Sequence, residues 1–120
     1  MVGMRTTQRK GDIVVSRAIV RFTTMNYDVA LPLTESAAYD LIIDTGEELK
    51  RVQVRYTSTG EVALRKIHSN SKGYVVKKTQ ENAYDWMYVF KSTGEEYLIK
   101  KCLANRNSIK PTEEYRLPLI

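Results

Sequence analysis

Asp40, Gln53 and Arg55 are the residues of this 120-residue chain whose types and spacing could do chemistry together. A carboxylate, an amide oxygen and a permanent cation are set out as D-x(12)-Q-x-R. Between them lies Thr45-Gly46-Glu47-Glu48, a turn signal flanked by the apolar run 39–44 and the alternating run 49–58, so the stretch reads as a hairpin. Along the second strand Arg51, Gln53 and Arg55 face one side, and Val52, Val54 and Tyr56 the other. Gln53 and Arg55 then stand roughly 6.5–7 Å apart along the backbone. Asp40 and Asp44 share a face of the first strand, with Ile42 between them. A carboxylate, an amide and a cation in the middle of an apolar sheet cost free energy unless something satisfies them. A hydrated metal ion would do so. Taken singly, the same residues also describe an aspartate that starts a strand and an exposed strand glutamine.

The rest of the composition narrows the choice of ion. His68 is the only histidine and Cys102 the only cysteine, so neither a histidine cluster nor a cysteine zinc site can form, and no intrachain disulfide is possible. Oxygen ligands remain, which suit Mg2+ or Mn2+. His68, beside Ser69 and Asn70, reads as a surface or phosphate-contact residue, and Cys102 as a small buried hydrophobe. Nineteen Lys+Arg against fourteen Asp+Glu give a net charge of +5, which favours a polyanionic partner, nucleic acid before membrane. The cations Arg65, Lys66, Lys72, Lys77 and Lys78 occur with no acid between residues 65 and 78, and Ser69 and Asn70 add polar donors. Cations would meet phosphates there and Asn or Ser would meet base edges; a solvated charged face is the plainer reading. Lys10 and Arg51, with Arg5, Arg9 and Arg17, could add phosphate contacts.

Several elements must hold these residues in place. Val14, Val15, Ala18, Ile19, Phe22 and Met25 recur at helical spacing, predicting an amphipathic helix over 10–25 that ends at Asn26-Tyr27-Asp28. Residues 1–9 read as a loose arm or a lead-in to that helix. Strands are expected at 29–31, 39–44, 49–58, 61–67, 86–90 and 96–99. A loop is expected at 68–73, a short helix at 79–84 and an extended tail from 104. Trp86 and Tyr56 read as core. One α/β domain spanning 1–120, built on a single mixed sheet flanked by helices, is the expected architecture. No run approaches the ~20 apolar residues of a membrane span, and no signal peptide is evident, so a cytoplasmic location is expected.

The helix followed by D-x(12)-Q-x-[K/R] across a hairpin resembles the PD-(D/E)XK nuclease superfamily, in the branch that carries Gln in place of Glu and includes a small intron-encoded homing endonuclease. Lys10-Gly11-Asp12, Leu31-Pro32-Leu33, Tyr39-Asp40-Leu41-Ile42, Arg51-Val52-Gln53-Val54, 84–90 and 93–99 follow the same order, so the likeness covers residues 10–100. The resemblance implies a restriction-endonuclease-like core that cleaves double-stranded DNA with Mg2+ or Mn2+. It makes Asp40 and Gln53 metal ligands together with the Val54 carbonyl, and it puts Arg55 in the place of the catalytic lysine. One active site per short chain implies a homodimer or homotetramer for cutting two strands. Two departures stand out. A guanidinium stabilises charge but cannot act as a base. Relatives also carry a helix glutamate where this chain has Val15, and Asp12 is the nearest replacement. A Holliday junction resolvase and a catalytically impaired DNA-binding relative are the alternatives.

Overall fold

The computed structural model describes residues 6–64, 66–70, 73–77 and 82–119, with no side chains for residues 6, 7, 66–70 and 73–77. Helix α1 (Thr6–Thr24) buries Val14, Ala18 and Phe22 completely or nearly so, one helical turn apart. The helix therefore starts before residue 10, and residues 6–9, expected as an arm or lead-in, form its first turn. Its end is fixed chemically. Asn26 adopts φ 69°, and Tyr27 N–H donates to Phe22 O while Asn26 N–H donates to Thr23 O, both at 3.0 Å. Tyr27 also stacks on Phe22 with ring centroids 6.3 Å apart, completing a Schellman cap with its apolar contact.

The chain then forms β1 (Asp28–Ala30), β2 (Leu41–Asp44), β3 (Leu49–Thr57), β4 (Val62–Ala63), β5 (Lys66–Asn70), β6 (Gly73–Lys77), β7 (Trp86–Lys91), β8 (Glu96–Ile99) and β9 (Ser108–Ile109). Five of these make one sheet in the order β1-β2-β3-β7-β8. Only β3 and β7 run parallel, so the sheet is mixed as expected. Helix α1 covers the face carrying Leu41, Ile43, Val52, Val54, Trp86, Tyr88 and Leu98. The other face, bearing Met87, Val89, Tyr97 and Ile99, packs on Val62, Leu64, Leu103 and Ile109. Among the described residues that cover is the β4–β9 pair and its flanking chain, not a second helix.

Four local expectations need correction. The run 61–67 is not one strand: Val62 pairs with Ile109, and a separate hairpin starts at Lys66. Residues 68–70 and 73, expected in a loop, lie in that hairpin, where His68 pairs with Val75 and Ser69 with Tyr74. Of the helix expected at 79–84, residues 79–81 lie outside the described residues; the remainder is a turn, with Asn82 at φ 61°. The tail is not simply extended, since it supplies β9 and a 3-10 turn at Glu113–Tyr115. Leu117 N–H donates to Glu96 O at 2.8 Å and Arg116 bridges to Tyr97, which covers the outer edge of β8. The split of 61–67 and the strand in the tail both follow from the long-range pairing of Val62 with Ile109, of which local pattern carries no trace.

Candidate active site

Strands β2 and β3 meet through a turn in which Thr45 N–H donates to Glu48 O at 3.0 Å and Gly46 holds φ 94°. Asp44 Oδ1 accepts from Gly46 N–H at 2.8 Å, so the second aspartate of the strand shapes the turn. The register pairs Leu41 with Val52, which puts Asp40 opposite Gln53 one step further on. Asp40 N–H donates to Val52 O at 2.8 Å. The chain before Asp40 then leaves the sheet, and its carboxylate takes over the ladder: Oδ2 accepts from Val54 N–H at 2.9 Å. The backbone hydrogen bond that β2 no longer supplies is thus made by a side chain, and the carboxylate is held beside Gln53.

Gln53 Nε2 donates to Ala38 O at 3.3 Å, which fixes the amide's orientation. Its Oε1 is shut off from solvent with no hydrogen-bond partner, and so is Nε of Arg55. Both residues project on the face away from α1, beside Met87 and Val89. The structure brings Asp40, Gln53 and Arg55 to one edge of one face, as the spacing predicts, and Val52 and Val54 point into the α1 core. Burial raises the pKa of the nearby Tyr84 hydroxyl, against the opposing pull of the Leu103 N–H it accepts and of the Arg55 charge.

The other candidates fall elsewhere. Asp12 is exposed on α1, the helix of the opposite face, and among the described residues no three His, Cys, Asp or Glu side chains cluster closely enough to hold a metal. Val15 packs against the α1-side core. Arg51 is tied up by Asp85, whose Oδ2 accepts from Arg51 N–H at 2.8 Å and from Nε at 3.2 Å. Asp85 N–H returns a bond to Arg51 O at 2.9 Å, which starts the parallel β3–β7 pairing. The Arg51 guanidinium holds the Asp85 carboxyl below its ordinary range. Lys10 lies with its ammonium 5.4 Å from the Tyr56 ring centroid. Lys66, Ser69, Asn70 and Lys77 belong to the β5–β6 hairpin, whose register sets Lys66 against Lys77; Arg65, Lys72 and Lys78 lie outside the described residues.

Sequence reasoning missed the Arg21–Glu96 pair, closed at 2.6 Å with both side chains 3% exposed. Tyr88 also donates its hydroxyl to Glu96. Burial disfavours the Glu96 charge, but Arg21 and Tyr88 outweigh it and hold that carboxyl below its ordinary range. A signal was available: Arg21 falls on the stripe of Ala18 and Phe22, where a cation requires a buried acid.

A family model described as PD-(D/E)XK endonuclease matches residues 5–110. The chain belongs to this family. The PD-(D/E)XK fold is also plain in three dimensions. The solved bacterial homing endonuclease I-Ssp6803I superposes with a TM-score of 0.81 at 24% identity, over 92% of this chain and 88% of that one. No curated protein matches the sequence. No described helix is long and apolar enough to cross a membrane.

Proposed function

We propose that this PD-(D/E)XK endonuclease hydrolyses phosphodiesters in double-stranded DNA with Mg2+ or Mn2+, as a homing endonuclease. The observation that carries the reading is the buried, unpartnered Gln53 Oε1 across the strand from the Asp40 carboxylate. Buried acceptors without donors are rare, and an oxygen beside a carboxylate is what a hard cation takes. Asp40 is the anionic anchor, Gln53 Oε1 the neutral ligand, and the Val54 carbonyl completes the set; Asp12 would need to approach from α1. When bound, the ion supplies charge for the developing phosphorane and lowers the pKa of water. Arg55 contacts the phosphate oxygens, with its unpartnered Nε as donor, and stabilises the charge that builds there. It takes no proton, because a guanidinium stays charged.

The substrate reading draws on the +5 net charge, which favours a polyanionic partner. The chain acts as one domain in the cytoplasm and assembles as a homodimer or homotetramer, because each short chain offers one active site for two strands. An impaired relative is the second reading. Arg55 and Val15 favour it by removing an amine and an acid from the site.

The test is incubation with Mg2+ or with EDTA on supercoiled plasmid, long linear genomic DNA and four-way junctions. Discrete fragments of linear DNA in Mg2+ alone support the homing reading. Preferential junction cutting would replace it with a resolvase. Absence of cutting by the parent, with cutting after Arg55→Lys, would establish inherited architecture with impaired chemistry.

A further inference from the structure

Gln53, Arg55 and Thr57 occupy alternate positions of β3, so Arg55 leads from the Asp40–Gln53 pair to a second feature. Beyond Val54, β3 pairs with β7 alone, because the β2 register ends at Leu41–Val52. A cavity of about 400 Å³ lies here, with Lys10, Arg55, Tyr56, Ser58, Thr59 and Glu61 in its wall. Lys10 is positioned over the Tyr56 ring, and Nε of Arg55 is buried without an acceptor. Lys91 arrives from β7, its Nζ 3.8 Å from where a Cβ on Gly60 would stand. Like several other cations among the described residues, Lys10, Arg55 and Lys91 form no ion pair. Two cations of the wall, Lys10 and Arg55, thus stand with one carboxylate, Glu61, and Lys91 lies beside the adjoining Gly60 turn.

Thr57, in the wall of this cavity, is tied into the turn that follows β3. Thr57 Oγ1 accepts from Gly60 N–H at 3.0 Å and donates to Glu61 O at 2.8 Å, and Gly60 holds φ 92°. Thr57 O in turn accepts from Ser92 N–H at 2.9 Å, tying the turn to the end of β7.

We propose that this cavity seats a DNA backbone phosphate next to the scissile one, so that the strand being cut runs along β3 from Gln53 toward Thr57. Alternate residues of a strand advance about 6.5–7 Å, which is comparable to the separation of consecutive phosphates on one strand. Lys10 and Lys91 are positioning residues for the phosphodiester, and Arg55 stands between the two phosphates. The inference rests on the nuclease reading of Asp40 and Gln53.

The experiment is equilibrium binding of a random-sequence DNA duplex in EDTA across a salt series, which requires no cleavage. Lys10→Met/Lys91→Met is expected to bind at least about fivefold more weakly, with the salt slope shallower by about 1, relative to Lys101→Met/Lys110→Met, a charge-matched reference at two exposed positions. Glu61→Gln, an exposed change, is expected to tighten binding. Parent-like affinity and slope in Lys10→Met/Lys91→Met, or weaker binding by Glu61→Gln, would overturn the phosphate seat while leaving the nuclease reading intact. A parent that binds no duplex would overturn both.

Discussion

Gln53→Glu puts a second carboxylate directly across the strand from Asp40. Cross-strand partners hold their Cβ atoms ~4.5–5.5 Å apart, and two unit charges at ~5 Å repel by about 3 kcal/mol at an effective dielectric near 20. Both positions are half-buried rather than sealed, so screening reduces this to about 1–2 kcal/mol. In EDTA at neutral pH the variant should therefore melt lower by roughly 4–8 °C, at about 4 °C per kcal/mol for a chain of this size. Each carboxylate raises the other's pKa in the folded state, so the deficit is absent at low pH and grows as pH rises through the raised value. Mg2+ should reverse it, because an ion bound only by the folded state stabilises as RT ln(1 + [L]/Kd), and two carboxylates bind more tightly than one. Thermal unfolding of parent, Gln53→Glu and Gln53→Met, each with and without Mg2+, reads this out. Gln53→Met removes the bond to Ala38 O without adding charge, and its melting should not respond to Mg2+. Identical Mg2+ responses in parent and Gln53→Glu would refute the reasoning that these two residues share an ion.

Three further outcomes follow from the packing and charge of the molecule. Arg21→Met leaves Glu96, 4% exposed, without its main partner and should cost about 3–5 kcal/mol in urea unfolding, much of it recovered by adding Glu96→Gln. The lowered pKa of Glu96 contributes stability that is present above its ordinary value of 4.5 and is lost as pH falls through the folded-state value. The urea midpoint of the parent should therefore drop more steeply below pH 4.5 than that of Glu96→Gln. Arg55→Lys should keep DNA affinity near the parent's and raise the Mg2+-dependent cleavage rate in single-turnover assays, since a lysine amine can give up and take back a proton and a guanidinium cannot.

Much of the site was legible because β-strand geometry is local. Alternation over 49–58 and the Thr45–Glu48 turn suffice to place Gln53 and Arg55 on one face, with Asp40 across from them. The Schellman end of α1 was equally local, since Asn26 is a residue that tolerates left-handed backbone. What escaped depends on contacts far apart in the chain. Asp85 captures Arg51 across 34 positions, and Arg21 reaches Glu96 across 75. The pairing of Val62 with Ile109 splits what looks like a single strand. No window of sequence contains both halves of such a contact. The carboxylate of Asp40 replaces a missing strand hydrogen bond at Val54 while standing opposite Gln53, so the same side chain serves the strand and the proposed metal site.

Asp40→Asn tests the central claim most directly, with plasmid cleavage in Mg2+ and duplex binding in EDTA measured on the same preparation. An asparagine oxygen can still accept from Val54 N–H, so the fold and the salt-dependent binding should survive while cleavage is lost. Cleavage at the parent's rate by a folded Asp40→Asn protein would contradict the assignment of Asp40 as the anionic ligand of the site.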